Sequence, residues 1–199
     1  MASNEYHFIT HWRVPGKMEE VRDVLGDAVD LARWWPSVYL EVRVVEEGDQ
    51  NGVGKLVDLY TKGWLPYTLR WQFRVTDVRE SGFSLEAIGD FSGRGVWTLE
   101  QDGAWTDVTY DWNVRADKPL LRSLSFLLKP IFEANHRWAM AQGEESLKLE
   151  LARRHAETED ERSRVPQPPG PTSATPIVVG AAAALVAALS LRALRSRRG

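Results

Sequence analysis

The sequence predicts an α+β domain in which a curved, seven-stranded antiparallel sheet wraps one long C-terminal helix. Three observations lead there. Apolar and polar residues alternate with a period of two over six successive stretches between residues 39 and 115. A pair of short helical patterns separates these from one earlier strand, and a long helical pattern follows the last of them. The order is strand, two helices, six strands, helix (β-αα-β6-α), with a further hydrophobic helix near the C-terminus.

Glu5 to Val14 alternates as a strand and stops at Pro15-Gly16. Lys17 to Leu25 places Met18, Val21, Val24 and Leu25 on one helical face, and Gly26 ends it. Asp27 can cap a second short helix through Arg33, stopped by Trp34-Trp35-Pro36. The strands then run over Tyr39–Glu46, Gly54–Thr61, Tyr67–Asp77, Phe83–Ile88, Gly95–Glu100 and Thr106–Arg115, with Gly- and Asp-rich turns between them. The third of these is the clearest: Tyr67, Leu69, Trp71, Phe73 and Val75 face one way, Thr68, Arg70, Gln72, Arg74 and Thr76 the other. One face is buried and one wet, as in an antiparallel meander. Asp117 and Pro119 open a Leu-rich helix of about 119–128, and Pro130 is expected to end it, because an interior proline loses a hydrogen bond and clashes with the preceding turn. A second helix over 130–154 carries the stripe Phe132, His136, Ala139, Gly143, Leu147, Leu151 beside Ile131, Asn135, Trp138, Gln142.

This order restricts the tertiary structure. The strand connections are too short for parallel crossovers. The sheet must bury its apolar face on the long helix by curling around it. A sheet curved that strongly encloses more volume than its side chains fill, and the surplus is a ligand cavity.

Composition narrows the chemistry. With no Cys among 199 residues, disulfides, thiolate catalysis and Cys-based zinc are excluded. The four His (His7, His11, His136, His155) lack metal-ligand spacing, so no metal and no cofactor are expected. Nine Trp point to a bulky core, a cavity or an interface. The last eight residues hold Arg192, Arg195, Arg197 and Arg198 and no acid; removing these four charges from the net −3 leaves −7 on the rest. An acidic body argues against nucleic acid as a partner.

The stretches VPGKMEEVRDVLGD, ARWWPSV and NHRWAMAQGEESLKLEL, taken in this element order, resemble the START-like superfamily, specifically its polyketide cyclase/dehydrase-like SRPBCC proteins. The resemblance covers roughly residues 4–154. It implies a helix-grip fold and an internal site for a lipid, sterol, polyketide or other hydrophobic small molecule. Some members of that superfamily are cyclases, dehydratases or aromatase-type enzymes and others only bind or carry. They share no universal catalytic motif, so no catalytic residue transfers to this chain.

The chain divides into a pocket domain (1–155), a disordered linker (156–175), a hydrophobic membrane-associating segment (176–194) and a basic end (195–199). AETEDERSRVPQPPGPTSAT, residues 156–175, is too polar to offset its chain entropy by burial. Ile177 to Leu191 is apolar on every side, at the short edge of the roughly 17–25 residues a span requires. A basic end beyond a span opposes the positive-inside tendency. The segment can instead lie in the inner leaflet with its Arg on anionic headgroups. MASNEYHFITHW has no basic stretch leading into an apolar run, so no secretory leader is read. The expected location is the cytoplasmic face of the cell membrane, tail-anchored, or else the soluble cytoplasm.

Candidate ligand-binding residues are Trp34, Trp35, Tyr67, Trp71, Phe73, Phe91, Trp97, Tyr110, Trp112, Asn135 and His136. Candidates for acid–base work are His136, His7 and His11, since imidazole titrates near working pH. The leading reading is a membrane-tethered binder or carrier of a hydrophobic small molecule with no covalent chemistry. The competing ones are a cyclase or dehydratase using a cavity His or acid as proton shuttle, and a Trp-rich interaction module.

Overall fold

The structure, a computed structural model, describes residues 5–116 and 119–172, with 116 and 119–128 described by their backbone alone. Its elements run β1 (Glu5–Pro15), α1 (Met18–Gly26), α2 (Leu31–Trp34), β2 (Tyr39–Glu46), β3 (Leu56–Lys62), β4 (Thr68–Arg79), β5 (Gly82–Gly89), β6 (Phe91–Asp102), β7 (Trp105–Ala116), α3 (Pro119–His155) and α4 (Glu159–Arg164). The seven strands form one antiparallel sheet in the order β1-β7-β6-β5-β4-β3-β2. The α+β architecture expected from the sequence is the one observed: a sheet gripping one long helix.

Strand alternation decides which side chains fill the grip. On β1, Tyr6, Trp12 and Val14 are buried while Glu5, His7, Ile9 and His11 are exposed. On β4, Leu69, Trp71 and Phe73 go inward, and on β7 Val108, Tyr110, Trp112 and Val114 do the same. The inner residues of α3 (Met140, Leu147, Leu151) meet them.

Helix α3 binds to the helix pair by an ion-pair knot. The Arg33 guanidinium donates to both oxygens of Glu150, at 2.8 and 2.8 Å, and to Asp30 at 2.7 Å. Arg154 donates to the same Glu150 at 3.0 Å. Glu150 is only 3% exposed. Burial alone pushes its carboxyl up, but the bonds from Arg33 and Arg154 outweigh that and hold it below the usual carboxylate range. Two turns back, Gly143 leaves room for Trp35: a Cβ there would lie 2.3 Å from the indole Cζ2. The knot and this close approach fix Trp34-Trp35 against the helix.

Three expectations are corrected. Pro130 does not divide the terminal helix, because α3 runs unbroken from Pro119 to His155 with Pro130 inside it. The helix accommodates the proline at the loss of a single backbone donor. The sixth strand begins at Phe91, not Gly95, because Gly93 takes a φ of +147° open to glycine and lets the strand continue through Ser92. The polar stretch after α3 carries α4, where the Thr158 hydroxyl accepts from Glu161 N–H and the Glu161 carboxylate accepts from Thr158 N–H. Its chain then returns to the body: Lys62 Nζ donates to the Thr172 carbonyl and the Thr172 hydroxyl donates to the Gly63 carbonyl. No helix among the described residues is long and apolar enough to cross a membrane. The expected membrane segment, 176–194, and the basic end lie outside the described residues.

Candidate ligand cavity

Between the concave sheet face and α3 lies a cavity of about 140 Å³. Its size follows from the aromatic side chains around it, which stack on one another and leave space between two walls. On the sheet side, Trp97 stacks on Tyr110 at 4.0 Å, Tyr110 on Trp112 at 5.5 Å, and Trp112 meets Trp71 at 5.7 Å. Phe91 closes the row edge-on to Trp71, 5.8 Å away. Gly95 lies beneath this row, where a Cβ would come within 2.8 Å of the Tyr110 hydroxyl. On the helix side, Phe8 stacks on His136 at 4.1 Å, and Phe132 receives Tyr6 and Tyr67 edge-on at 6.1 and 6.4 Å.

The polar groups in this cavity fall into two sets. Some are satisfied within the protein. Trp71 Nε1 donates to Thr61 Oγ1 at 3.0 Å. Asn135 Oδ1 accepts from the backbone N–H of Trp64 and Leu65, at 2.9 and 3.3 Å, and so pins the β3–β4 loop to α3. Others have none: Tyr6 Oη, Trp35 Nε1 and His136 Nε2 are buried without a hydrogen-bond partner among the described residues. A buried polar atom left in that state costs about 1–3 kcal/mol, so three on residues that line one cavity are a concentrated deficit.

Electrostatically the cavity is close to neutral. Burial, with a smaller contribution from Arg137, lowers His136 to about 4, so its imidazole is uncharged at pH 7. Burial pushes the Tyr67 hydroxyl up to about 12, with Tyr6 adding to it. Burial raises Tyr39 and Tyr110 further, and raises Tyr6 with help from Glu133. No carboxylate lines the cavity among the described residues, and its one formal charge is Lys62, whose Nζ is bonded to Thr172. Among the described residues no group of three or more His, Asp or Glu is placed to hold a metal ion.

The structure brings Trp35, Tyr67, Trp71, Phe91, Tyr110, Trp112, Asn135 and His136 together on the cavity wall. Trp34, Phe73 and Trp97 do not reach it. Trp34 is wholly buried against Trp35, Trp97 backs Tyr110 from the neighbouring position, and Phe73 faces a groove beside the α1–α2 turn. Two acid–base candidates are also placed elsewhere. His7 bonds Asp111 at 3.0 Å and His11 bonds Thr109 at 3.2 Å, both on the exposed convex face. Their positions on β1 alternate with Tyr6 and Phe8, the residues that do line the cavity. That alternation, followed through its aromatic members, was the signal that identifies Tyr6 and Phe8. Tyr39, Thr61 and Lys62, at strand ends, carry no comparable signal.

Neither a family model nor a curated protein matches the chain. Solved structures do. The Zhui aromatase/cyclase from Streptomyces sp. R1128 superposes with a TM-score of 0.61 at 18% identity, covering 77% of this chain and 97% of its own. TTHA0849 from Thermus thermophilus gives 0.59 at 18% identity over 71% of this chain and 97% of its own. A START superfamily protein from Mycobacterium smegmatis gives 0.50 at 12% identity, over 66% and 97%. At these identities the likeness is one of fold, and it agrees with the strand order and the gripping helix: the chain has the START-like, SRPBCC-type helix-grip fold.

Proposed function

We propose that the domain binds and carries a hydrophobic small molecule in the cavity between its sheet and α3, without covalent chemistry. The observation that carries this reading is the cavity itself, walled by stacked aromatic rings, three of its lining residues keeping a buried polar atom that no protein group satisfies among the described residues. A one-ring ligand burying about 200 Å² there contributes roughly 5 kcal/mol of transfer free energy, before the cost of association. The fold is shared with an aromatase/cyclase, whose name alone gives a second reading, a cyclase or dehydratase. His136 is the one observation in its favour, since it is the one of the three His candidates that stands on the described wall. Burial makes it a weak base, however, and no carboxylate stands beside it among the described lining residues. The carrier reading is therefore preferred. An interaction module has little support: of the nine Trp only Trp105 is exposed.

The reading extends to a membrane tether on the cytoplasmic face. The uncharged stretch Ile177 to Leu191 supplies it, and the four Arg beyond it suit anionic headgroups. Thr172, five residues before that stretch, is bonded to Lys62 and Gly63, two cavity residues, so the tether would leave the body beside its site. A tethered pocket meets lipid-borne ligands at a raised effective concentration.

Native mass spectrometry of the full-length protein tests the first part: a released apolar mass, one per chain, is expected, and apoprotein alone in lipid-rich preparations counts against it. Fractionation against a chain cut after Thr172 tests the second. Equal solubility of the two refutes the tether.

A further inference from the structure

We infer that the cavity selects an uncharged aromatic ligand bearing a hydroxyl or carbonyl, seated beside Tyr6 and His136, and rejects the matching carboxylate. This rests on the reading of the cavity as a binding site. Three features of the wall lead to it.

The first is size and shape. A cavity of about 140 Å³ is comparable to one of about 150 Å³ that holds benzene. Its two walls present flat faces, Phe8 on His136 and Tyr110 on Trp112, at which a ring stacks in offset or edge-on geometry. The second is the hydrogen-bonding deficit. Tyr6 and His136 flank Phe8, at 5.8 and 4.1 Å between rings, and both keep a buried polar atom without a protein partner among the described residues. The Tyr6 hydroxyl donates or accepts, and a neutral imidazole Nε2 does either according to tautomer, so a ligand hydroxyl or carbonyl is a fitting partner for either one. The indole N–H of Trp35, further along α3 at Gly143, is a donor only and takes an acceptor.

The third is charge. The wall holds no carboxylate and no guanidinium among the described residues, and Lys62 already donates to Thr172. His136 and the tyrosines are neutral at pH 7 for the reasons given above. An ionised ligand would give up its hydration for rings and neutral donors, which is unfavourable unless it is paired. A neutral ligand with one polar group gives up little and removes the deficit.

The experiment compares two probes of one shape, p-xylene and p-cresol, and the larger anion p-toluate on the full-length protein at pH 7.5, followed by calorimetry and by Trp fluorescence. The expected order is p-cresol above p-xylene by about tenfold, with p-toluate weaker than p-cresol by a hundredfold or more. In Tyr6→Phe and in His136→Phe, conservative changes of a buried ring, the ratio of p-cresol to p-xylene affinity falls toward one. Binding of p-xylene and p-cresol with equal affinity, or an advantage untouched in both variants, overturns the inference and leaves the cavity reading standing. So does tight p-toluate binding that Lys62→Met removes. Absence of binding by all three overturns the cavity reading, and this inference with it.

Discussion

Gly143→Ala tests how closely the helix pair is packed on α3. The added Cβ would sit 2.3 Å from Trp35 Cζ2 and 2.6 Å from Cε2, whereas carbons in contact rest about 3.5–4.0 Å apart. More than 1 Å of movement is needed, and the indole is backed by Trp34 at 5.4 Å and Trp12 at 5.6 Å. Alanine in place of an interior helical glycine is favourable by about 1 kcal/mol. Overpacking a filled core costs about 1–3 kcal/mol, and an overlap this large against a rigid, buried ring belongs at the upper end. The net expectation is a loss of about 1–2 kcal/mol, or a Tm lower by about 3–6 °C for a chain of this size. Because Trp35 also lines the cavity, p-cresol affinity should fall in the same variant. Urea and thermal unfolding of wild type and variant read the first effect, and calorimetry the second. A variant about 1 kcal/mol more stable than wild type, as helix propensity alone dictates, would show that Trp35 does not rest on Gly143.

Glu150→Gln should destabilise by about 1–3 kcal/mol, since it leaves the Arg33 guanidinium without its bidentate partner. Because the folded carboxyl titrates below its unfolded value, the contribution is present above about pH 4.3, lost as pH falls through the folded value, and absent in the variant. Urea titrations at pH 7 and pH 3.5 check both. His136 runs on a different window. Its folded value of about 4 lies under the unfolded value near 6.5, so wild-type stability should fall between those limits as the unfolded chain takes up a proton the folded one refuses. The drop is at most roughly 3 kcal/mol, and comparison with His136→Phe at pH 7 and pH 4.5 should show it missing from the variant. Asn135→Ala removes the acceptor that holds Trp64 and Leu65 to α3; a loss of about 1–3 kcal/mol and faster amide exchange at those two residues are expected.

The sequence was informative where a periodic pattern met a single environment. β4 and β7 each alternate cleanly, and the structure buries Leu69, Trp71, Phe73 and Tyr110, Trp112, Val114 as that alternation requires. The stripe Phe132, His136, Ala139, Gly143 is likewise the face that α3 turns inward, three of its members lining the cavity and the fourth admitting Trp35. Legibility ended where tertiary contacts override a local rule. Pro130 stands within a continuous helix, and Gly93 within a strand, because the surroundings and the φ of one glycine decide the chain path there. Aromatic identity also misled: Trp34, Phe73 and Trp97 share the chemistry of the wall, but core packing claims them one layer away from it. Which buried ring faces empty space depends on curvature, and curvature is set by the whole sheet. The orphaned atoms of Tyr6, Trp35 and His136 could not be read from sequence at all, since a missing partner is a property of the packed state.

The cavity as the binding site is tested most directly by filling it. Ala139 lines it from α3, and Ala139→Phe adds a ring to a space that has room for about one. Calorimetric titration of wild type with p-xylene should give saturable binding at one site per chain. The variant, its circular dichroism unchanged, should show no heat of binding. Equal affinity in a folded variant would place the ligand elsewhere and contradict the assignment.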